Sequence, residues 1–483
     1  MNTQTPDFTN PNSPFYIDSK VRAYRELADL PNTLMQGEDA LRAKGETYLV
    51  KRDKIESDDL FQNRLNVSNL VNAFQIGVSG WAGRITGQGI DISEEASEIE
   101  IVSEIKEKAD RIGNNLDVFA GQVAKLGLGT GSGIILVDGP QKSDENVSQR
   151  EAKEAGLRPY FRLINQFTEL LGYSASNGVL LQFRVLEVEE VSNENSYQKD
   201  IVYKSRVYKL EGEKVTCTVY EFKSNNAVEL SSTILPLSYI PVVAYNPGEQ
   251  GDLILGDTPV RELANLTKAH WNSWSLQTWI LLAARTPFLT VIGAGKGFSE
   301  KIKTSISTFL NISKGKSEAD VKYTEINGQG PEAGFKHVSV IEAAIRQYGI
   351  EVTRPSGNDL ATTKIIDTEK TMADLKGWAE DLESVVSNAL SIACDFTNAV
   401  FPEGGATVNK EFGYNAISSE QVQLIKILTD SGRLPAKVVY EYIVRPNFKT
   451  LKDVPWEDVE EMMLSEDRAG DTDITDLFGA DNK

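Results

Sequence analysis

Residues 125–140 read KLGLGTGSGIILVDGP. Four glycines alternate with other residues, and an apolar run follows. A dinucleotide fingerprint takes Gly at its first, third and sixth positions, after a strand and at the start of a helix. Counted from Gly127 the sixth position is Ser132, and counted from Gly129 it is Ile134, so neither register fits. A P-loop needs Gly-Lys-Ser/Thr, which is absent here. The order of elements is also inverted. Upstream, Ile112, Leu116, Phe119, Val123 and Leu126 have the spacing of one helix face, within a helix predicted from Ile105 to Leu126. Downstream, Ile134-Ile135-Leu136-Val137 has the pattern of a buried strand. The glycines therefore end a helix and lead into a strand. Phosphate sites use the opposite order, because they draw on the free N–H groups of a helix N-terminus. The stretch reads as a helix C-cap with close backbone packing.

A second glycine run, Gly293-Ala294-Gly295-Lys296-Gly297, follows a strand-like stretch (Phe288 to Ile292) and precedes a helical pattern from Ser299. Its spacing fails both motifs, and no Ser or Thr follows Lys296. A nucleotide-dependent enzyme built on this run is kept only as an alternative.

The chain has 483 residues and, by length, roughly two to four domains. It carries 40% hydrophobic residues and a net charge of −20. So acidic a chain is poorly suited to gripping nucleic acid, which takes clustered Lys and Arg. No stretch approaches the roughly 18 apolar residues of a membrane span. The N-terminal stretch MNTQTPDFTNPNSPF lacks the basic and apolar segments of a secretory signal. Cys217 and Cys394 are the only cysteines, which points to an intracellular protein without a disulfide framework. His270 and His337 are the only histidines, too few for a His-based metal site or a Ser/His/Asp arrangement, and both read as structural. Carboxylates are plentiful but scattered. No catalytic residue, cofactor site or metal site is assigned.

Residues 1–20, rich in Asn, Pro and Ser, read as a flexible arm. Helical patterns run from about Lys20 to Leu30 and from about Asn63 to Arg84. Between Ile134 and Asn246 short alternating runs recur (Tyr160 to Leu163, Val179 to Glu187, Ile201 to Lys209, Val215 to Phe222), separated by polar turns, so this region is predicted to be β-structure. Residues 141–157 read as an exposed loop or a short surface helix.

Gly256-Asp257-Thr258-Pro259 is a helix start, with Thr258 as cap and Pro259 in the first helical position. The helix is predicted to end near Arg285, because Thr286 precedes Pro287. On it Val260, Leu263, Thr267, Trp271 and Trp274 share one face, while Arg261, Asn265, Lys268, Asn272 and Ser275 form the other. Trp279 to Ala284 is apolar all round and needs cover on every side. The tryptophans read as core or subunit contact rather than as a cofactor box.

Residues 288–335 carry strand, helix and strand patterns, and 336–350 are helical. The stretch EVTRPSGNDLATTK that follows is a loop containing Pro355 and Gly357. From Met372, residues Leu375, Ala379, Leu382, Val386, Ala389, Ala393, Phe396 and Val400 recur at three- and four-residue spacing. This is either a long core helix or a radial spoke in an oligomer. Residues 418–445 suggest two helices joined at Ser431-Gly432, and the end from about Glu466 reads as a disordered acidic tail.

The order of these parts resembles the portal proteins of tailed bacteriophages. The passages that carry the resemblance are FAGQVAKLGLGTGSGIILVDGP, RPYFRLINQFTEL, YIPVVAYNPGEQ, ELANLTKAHWNSWSLQTWILLAARTPFLTVIG and SGNDLATTKIIDTEK. It spans about Glu56 to Asn447. It implies an α+β portal fold: a wing (21–255), a first stem helix (256–286), a small α/β clip (287–334), a second stem helix (335–350), a tunnel loop (351–362), a long wing helix (363–401), a short helical crown (402–465) and the acidic tail (466–483). It also implies a homo-oligomeric ring, normally a dodecamer, at one capsid vertex of the virion, assembled in the host cytoplasm. Double-stranded DNA would pass through the channel without tight binding. The major capsid protein, the terminase packaging motor and the head-tail adaptor would be its partners, with no membrane and no cofactor. The channel residues it implies are Arg354, Pro355, Ser356, Gly357, Asn358 and Lys364, where Arg354 and Lys364 read equally well as solvated charges. The subunit contacts it implies are Trp271, Trp274, Trp279 and Leu282. An acidic wall would repel phosphate and keep DNA sliding. Another minor head or capsid protein is the structural alternative.

Overall fold

The computed structural model describes residues 5–52, 56–139, 158–192, 199–248, 252–285, 288–292, 310–312, 320–324, 329–348, 361–410, 412, 429, 435–440 and 454–460. The chain divides into two units, Met1–Phe412 and Gly413–Lys483.

The larger unit opens with helices α1 (Ser19–Leu27), α2 (Asp29–Gln36), α3 (Glu38–Ala43), α4 (Asp58–Val67) and α5 (Ala73–Thr86). A short strand, β1 (Ile90–Ile92), leads to α6 (Glu94–Ser97), α7 (Glu100–Glu107) and α8 (Leu116–Thr130). Local chemistry sets these starts. Ser57, Asn72, Ser93 and Asn115 precede α4, α5, α6 and α8, and each side chain accepts a hydrogen bond from an amide of the first turn. The single helix predicted over Ile105 to Leu126 is therefore two. Between them the Asp110 carboxylate accepts from the amides of Ile112, Gly113 and Asn114 at 2.8–2.9 Å. A side chain that satisfies three backbone donors competes successfully with helix continuation. Ile112, expected on the apolar face, is 89% exposed at the tip of that turn. The helix predicted over Asn63 to Arg84 breaks similarly, between α4 and α5.

Then come β2 (Gly133–Asp138), β3 (Tyr160–Ile164), β4 (Leu170–Ser176), β5 (Val179–Ser192), β6 (Lys199–Glu211), β7 (Lys214–Lys223), β8 (Asn226–Leu235) and β9 (Val242–Tyr245). They form two antiparallel sheets, ordered β3-β2-β9 and β4-β5-β6-β7-β8. The second is a meander whose apolar residues (Phe183, Val185, Tyr208, Val215, Cys217) join Ile134 and Leu136 in one core cluster. Residues 5–18, expected to be part of a flexible arm, are instead pinned to this sheet. Phe15 is buried with Leu171 and Leu186, Asp18 pairs with Arg184 at 2.6 Å, and the Asp18 N–H donates to the Leu171 carbonyl. Two aromatic residues and a paired charge outweigh the disorder signal of the Asn and Pro around them.

Helix α9 (Arg261–Arg285) leads to β10 (Phe288–Ile292), β11 (Leu310–Ile312) and β12 (Asp320–Thr324), a three-stranded sheet ordered β11-β10-β12 with β11 parallel and β12 antiparallel to β10. Helix α10 (Gln329–Arg346) follows, then α11 (Ala361–Thr397) and β13 (Ala406–Val408). The helix expected from 335 thus begins six residues earlier, at Gln329. Ala361 and Thr362, read as the end of the tunnel loop, already belong to α11. Leu375, Ala379, Leu382, Val386, Ala389 and Ala393 of α11 are buried in the main core, as a long core helix requires. Val400 lies past the helix end and is exposed. Strand β13 pairs antiparallel with β1, so residues 402–412 join the larger unit rather than a separate crown. In the second unit, α12 (Ala436–Val439) precedes Tyr440, whose ring packs on Trp456 and whose hydroxyl donates to the Val454 carbonyl at 2.9 Å.

Candidate functional site

The glycine stretch is a socket for α9. Helix α8 ends at Thr130, and Gly131 takes a left-handed conformation (φ 101°) with its N–H on the Gly127 carbonyl. A Cβ on Gly131 would lie 2.3 Å from the Gly256 carbonyl oxygen, and one on Gly127 would lie 2.3 Å from the Tyr245 ring. The close approach lets Ser132 Oγ accept from the Gly256 N–H (2.8 Å) and Thr258 Oγ1 donate to the Leu128 carbonyl (2.6 Å). Thr258 is thus tied to α8 while also accepting from the Val260 N–H. The helix begins at Arg261, two residues later than Pro259, with the Arg261 guanidinium on Asp257.

The first half of α9 is held from both flanks. On one, the Arg64 guanidinium reaches Glu56 (2.9 and 3.0 Å), the Val50 carbonyl (2.8 Å) and Ser275 Oγ (3.1 Å). The Arg64 and Glu56 side chains are only 1% and 3% exposed. Arg64, foremost, holds the Glu56 carboxyl below its ordinary value of 4.5. Asn272 closes the same flank, donating to the Tyr48 carbonyl and accepting from the Val50 N–H. Asn272 and Ser275, read from the sequence as part of a solvated polar face, are therefore inward polar contacts. Satisfied polar groups bury readily, and periodicity alone does not reveal the partner.

On the other flank α10 runs antiparallel to α9. His270 Nε2 lies 3.4 Å from Glu342, Ser273 Oγ lies 2.8 Å from His337 Nδ1, and Gln277 Nε2 donates to the Pro331 carbonyl at 2.8 Å. Both histidines of the chain thus serve this seam, as structural groups. Val338, Ile341 and Ile345 of α10 are buried along it.

Apolar side chains are exposed along the pair. Ile280 is 37% and Leu282 55% exposed on α9 beyond Gln277, and on α10 Phe335 is 43% exposed and Val340, between the residues that meet Ser273 and His270, is 68% exposed. Of the four tryptophan and leucine contacts read from the sequence, Trp271 is wholly buried in the subunit's own core. It therefore has no surface to offer a neighbour. Trp274 is half-buried, its ring stacked on His270, and Trp279 is half-buried. Arg354, Pro355, Ser356, Gly357 and Asn358, like the run Gly293 to Gly297, lie outside the described residues, as does the Lys364 side chain. The acidic tail and most of the segment read as two helices over 418–445 also lie outside them.

Among the described residues no group of three or more His, Cys, Asp or Glu could hold a metal ion. No helix among them is long and apolar enough to cross a membrane. Cys217 and Cys394 are buried, and desolvation pushes both thiols up to about 11, so each stays protonated and unreactive.

Residues 259–397, from the root of α9 to the end of α11, match a family model described as a domain of unknown function (DUF4055). No curated protein matches the chain. Among solved structures it is similar to the neck of an empty GTA particle computed with C6 symmetry, at 11% identity and a TM-score of 0.40, over 76% of this chain and 88% of that one. It is similar at 10% identity and a TM-score of 0.36, with the same coverage, to the virion of a native gene transfer agent (GTA) particle. The neck of the native GTA particle computed with C12 symmetry gives the same values. Scores this low carry neither fold nor role across. The likeness is to components of phage-like particles.

Proposed function

We propose that this chain is a structural subunit of a portal-type ring at a capsid vertex, a conduit for double-stranded DNA, with no enzymatic activity of its own. The observation that supports it most is the excursion of α9, the three-stranded sheet and α10. A helix of 25 residues, about 37 Å long, leaves the core, carries a small sheet at its far end, and is followed by an antiparallel partner of 18 residues. Ile280, Phe335 and Val340 are exposed on that pair although the chain has ample core to bury them. Exposed apolar groups along paired helices suit contact with a further copy. The order of elements also agrees with the portal resemblance: body, rising helix, small sheet, returning helix, then a long helix across the body.

In this reading residues 351–362 line the channel, with Arg354 to Asn358 and Lys364 near DNA, and the net charge of −20 keeps phosphate from sticking. The ring, normally of twelve copies, docks the packaging motor and the head-tail adaptor and sits among major capsid proteins in the virion. The test is native mass spectrometry with negative-stain imaging of the purified protein. A closed ring with an axial hole is expected, and Ile280→Asp is expected to dissociate it, because a carboxylate buried in an apolar contact is costly. A protein that stays monomeric at all concentrations, or a ring indifferent to Ile280→Asp, would sink the reading.

A further inference from the structure

The five-stranded sheet treats its two edges differently. The β4 edge is covered by the chain itself, through the Asp18 N–H on the Leu171 carbonyl and Arg25 on the Gln166 and Leu170 carbonyls (3.0 and 2.7 Å). Among the described residues no strand lies beyond β8. The hairpin before it identifies the backbone groups that point away from β7. Ser224 and Asn225 form a two-residue turn with φ of 49° and 67°, as in a type I′ hairpin. Such a turn closes on a hydrogen-bonded pair, here Lys223 with Asn226. Bonded and non-bonded pairs then alternate. Glu221 with Val228 is the next bonded pair, so Ala227 and Glu229 direct their N–H and C=O groups away from β7.

Soluble proteins guard such an edge with Lys, Pro or a covering segment. Strand β8, NAVELSSTIL, has neither Lys nor Pro, and its irregularity is confined to one register shift opposite Val219 and Tyr220. Val228, Leu230 and Ile234 are 44%, 48% and 57% exposed. The strand's single charge, Glu229, has no ion-pair partner among the described residues.

We propose that the outer edge of β8 is a strand-addition site for an extended segment of another protein, one with a Lys or Arg facing Glu229 and apolar side chains beside it. The outward N–H and C=O groups of Ala227 and Glu229 define the backbone of the occupant, and the exposed apolar side chains of β8, Val228 on one face and Ile234 on the other, contact its side chains. Charge selects the class. The edge is negative, and the chain as a whole carries −20, so a basic segment complements it and a second copy does not.

The probe is a fluorescein-labelled decapeptide of alternating Thr and Val with one central Lys, followed by anisotropy, with deuterium exchange read over residues 226–235. Binding with slowed exchange at Ala227 to Ser231 is expected. Ala227→Pro removes an outward N–H and leaves the β7–β8 ladder intact, and it is expected to weaken binding about tenfold. Glu229→Lys is expected to reverse the preference between the Lys peptide and its Glu counterpart, a result that stands even if Ala227→Pro fails to fold. The proposal is overturned if the peptide does not bind, or if Glu229→Lys leaves the preference unchanged. It is also overturned if Ala227→Pro alters the oligomeric mass of the free protein, which would give the edge to a second copy.

Discussion

The two halves of α9 share one helix and almost nothing else. From Arg261 to Ser275 the helix is tied down at three places: the glycine socket at the root, the Arg64–Glu56–Ser275 cluster on one flank, and His270 and Ser273 meeting α10 on the other. From Leu276 to Arg285 Gln277 still meets α10, and Ile280 and Leu282 are exposed. The first half is stabilised by the fold. The second leaves apolar side chains at the surface. A helix can therefore be held firmly at one end and lightly at the other. The changes below separate the two.

Glu56→Gln is the most severe. It leaves the Arg64 guanidinium buried without its counter-charge, which costs about 3–5 kcal/mol. Thermal unfolding should show a large loss of stability at neutral pH, and a loss within experimental error would mean that the cluster does not anchor α9. Acid should reproduce part of it. The Glu56 carboxyl is depressed in the folded state, so its contribution is complete above its ordinary value of 4.5 and fades as pH falls through the lower folded value. Urea titrations at descending pH should therefore lose more stability below 4.5 in the parent than in Glu56→Gln.

Gly131→Ala attacks the socket. The left-handed backbone alone costs roughly 1–2 kcal/mol for a residue with a Cβ, and overlap with the Gly256 carbonyl adds to it. The expected result is a lower denaturation midpoint and faster exchange at the Gly256 amide, which donates to Ser132. Unchanged exchange there would separate the turn from the root of α9.

Val340→Ser, at an exposed position of α10, should change the stability of the dissociated subunit by no more than about 0.5 kcal/mol, as exposed substitutions usually do. Its effect should appear in assembly. A loss of several kcal/mol in the isolated subunit would mean that this surface is buried within one chain.

Much of this was legible in the sequence. The alternating glycines before an apolar run gave the helix-to-strand turn correctly, because a left-handed cap and a buried strand each leave a local mark. The β-rich middle, the α9 helix and the apolar stripe of α11 were legible for the same reason, since period and propensity are local properties. The misreadings came where a distant partner overruled local character. The arm over residues 5–18 is held by Phe15 and Asp18 against a sheet far along the chain. Ser275 is buried against Arg64, and Asn272 is tied to the backbone of Tyr48 and Val50. The helix through Ile112 is the exception, broken locally by the carboxylate of Asp110 two residues before it.

The sequence by itself determined where most of the helices and strands would form and that the end of α9 would be rich in apolar residues. Tertiary structure decided which polar residues go inside, that Trp271 serves the main core, that β13 returns to β1, and that the N-terminal segment covers the β4 edge. The first set depends on neighbours a few residues apart. The second depends on groups separated by up to hundreds of residues, whose pairing is set by packing and by the cost of leaving a buried polar group alone.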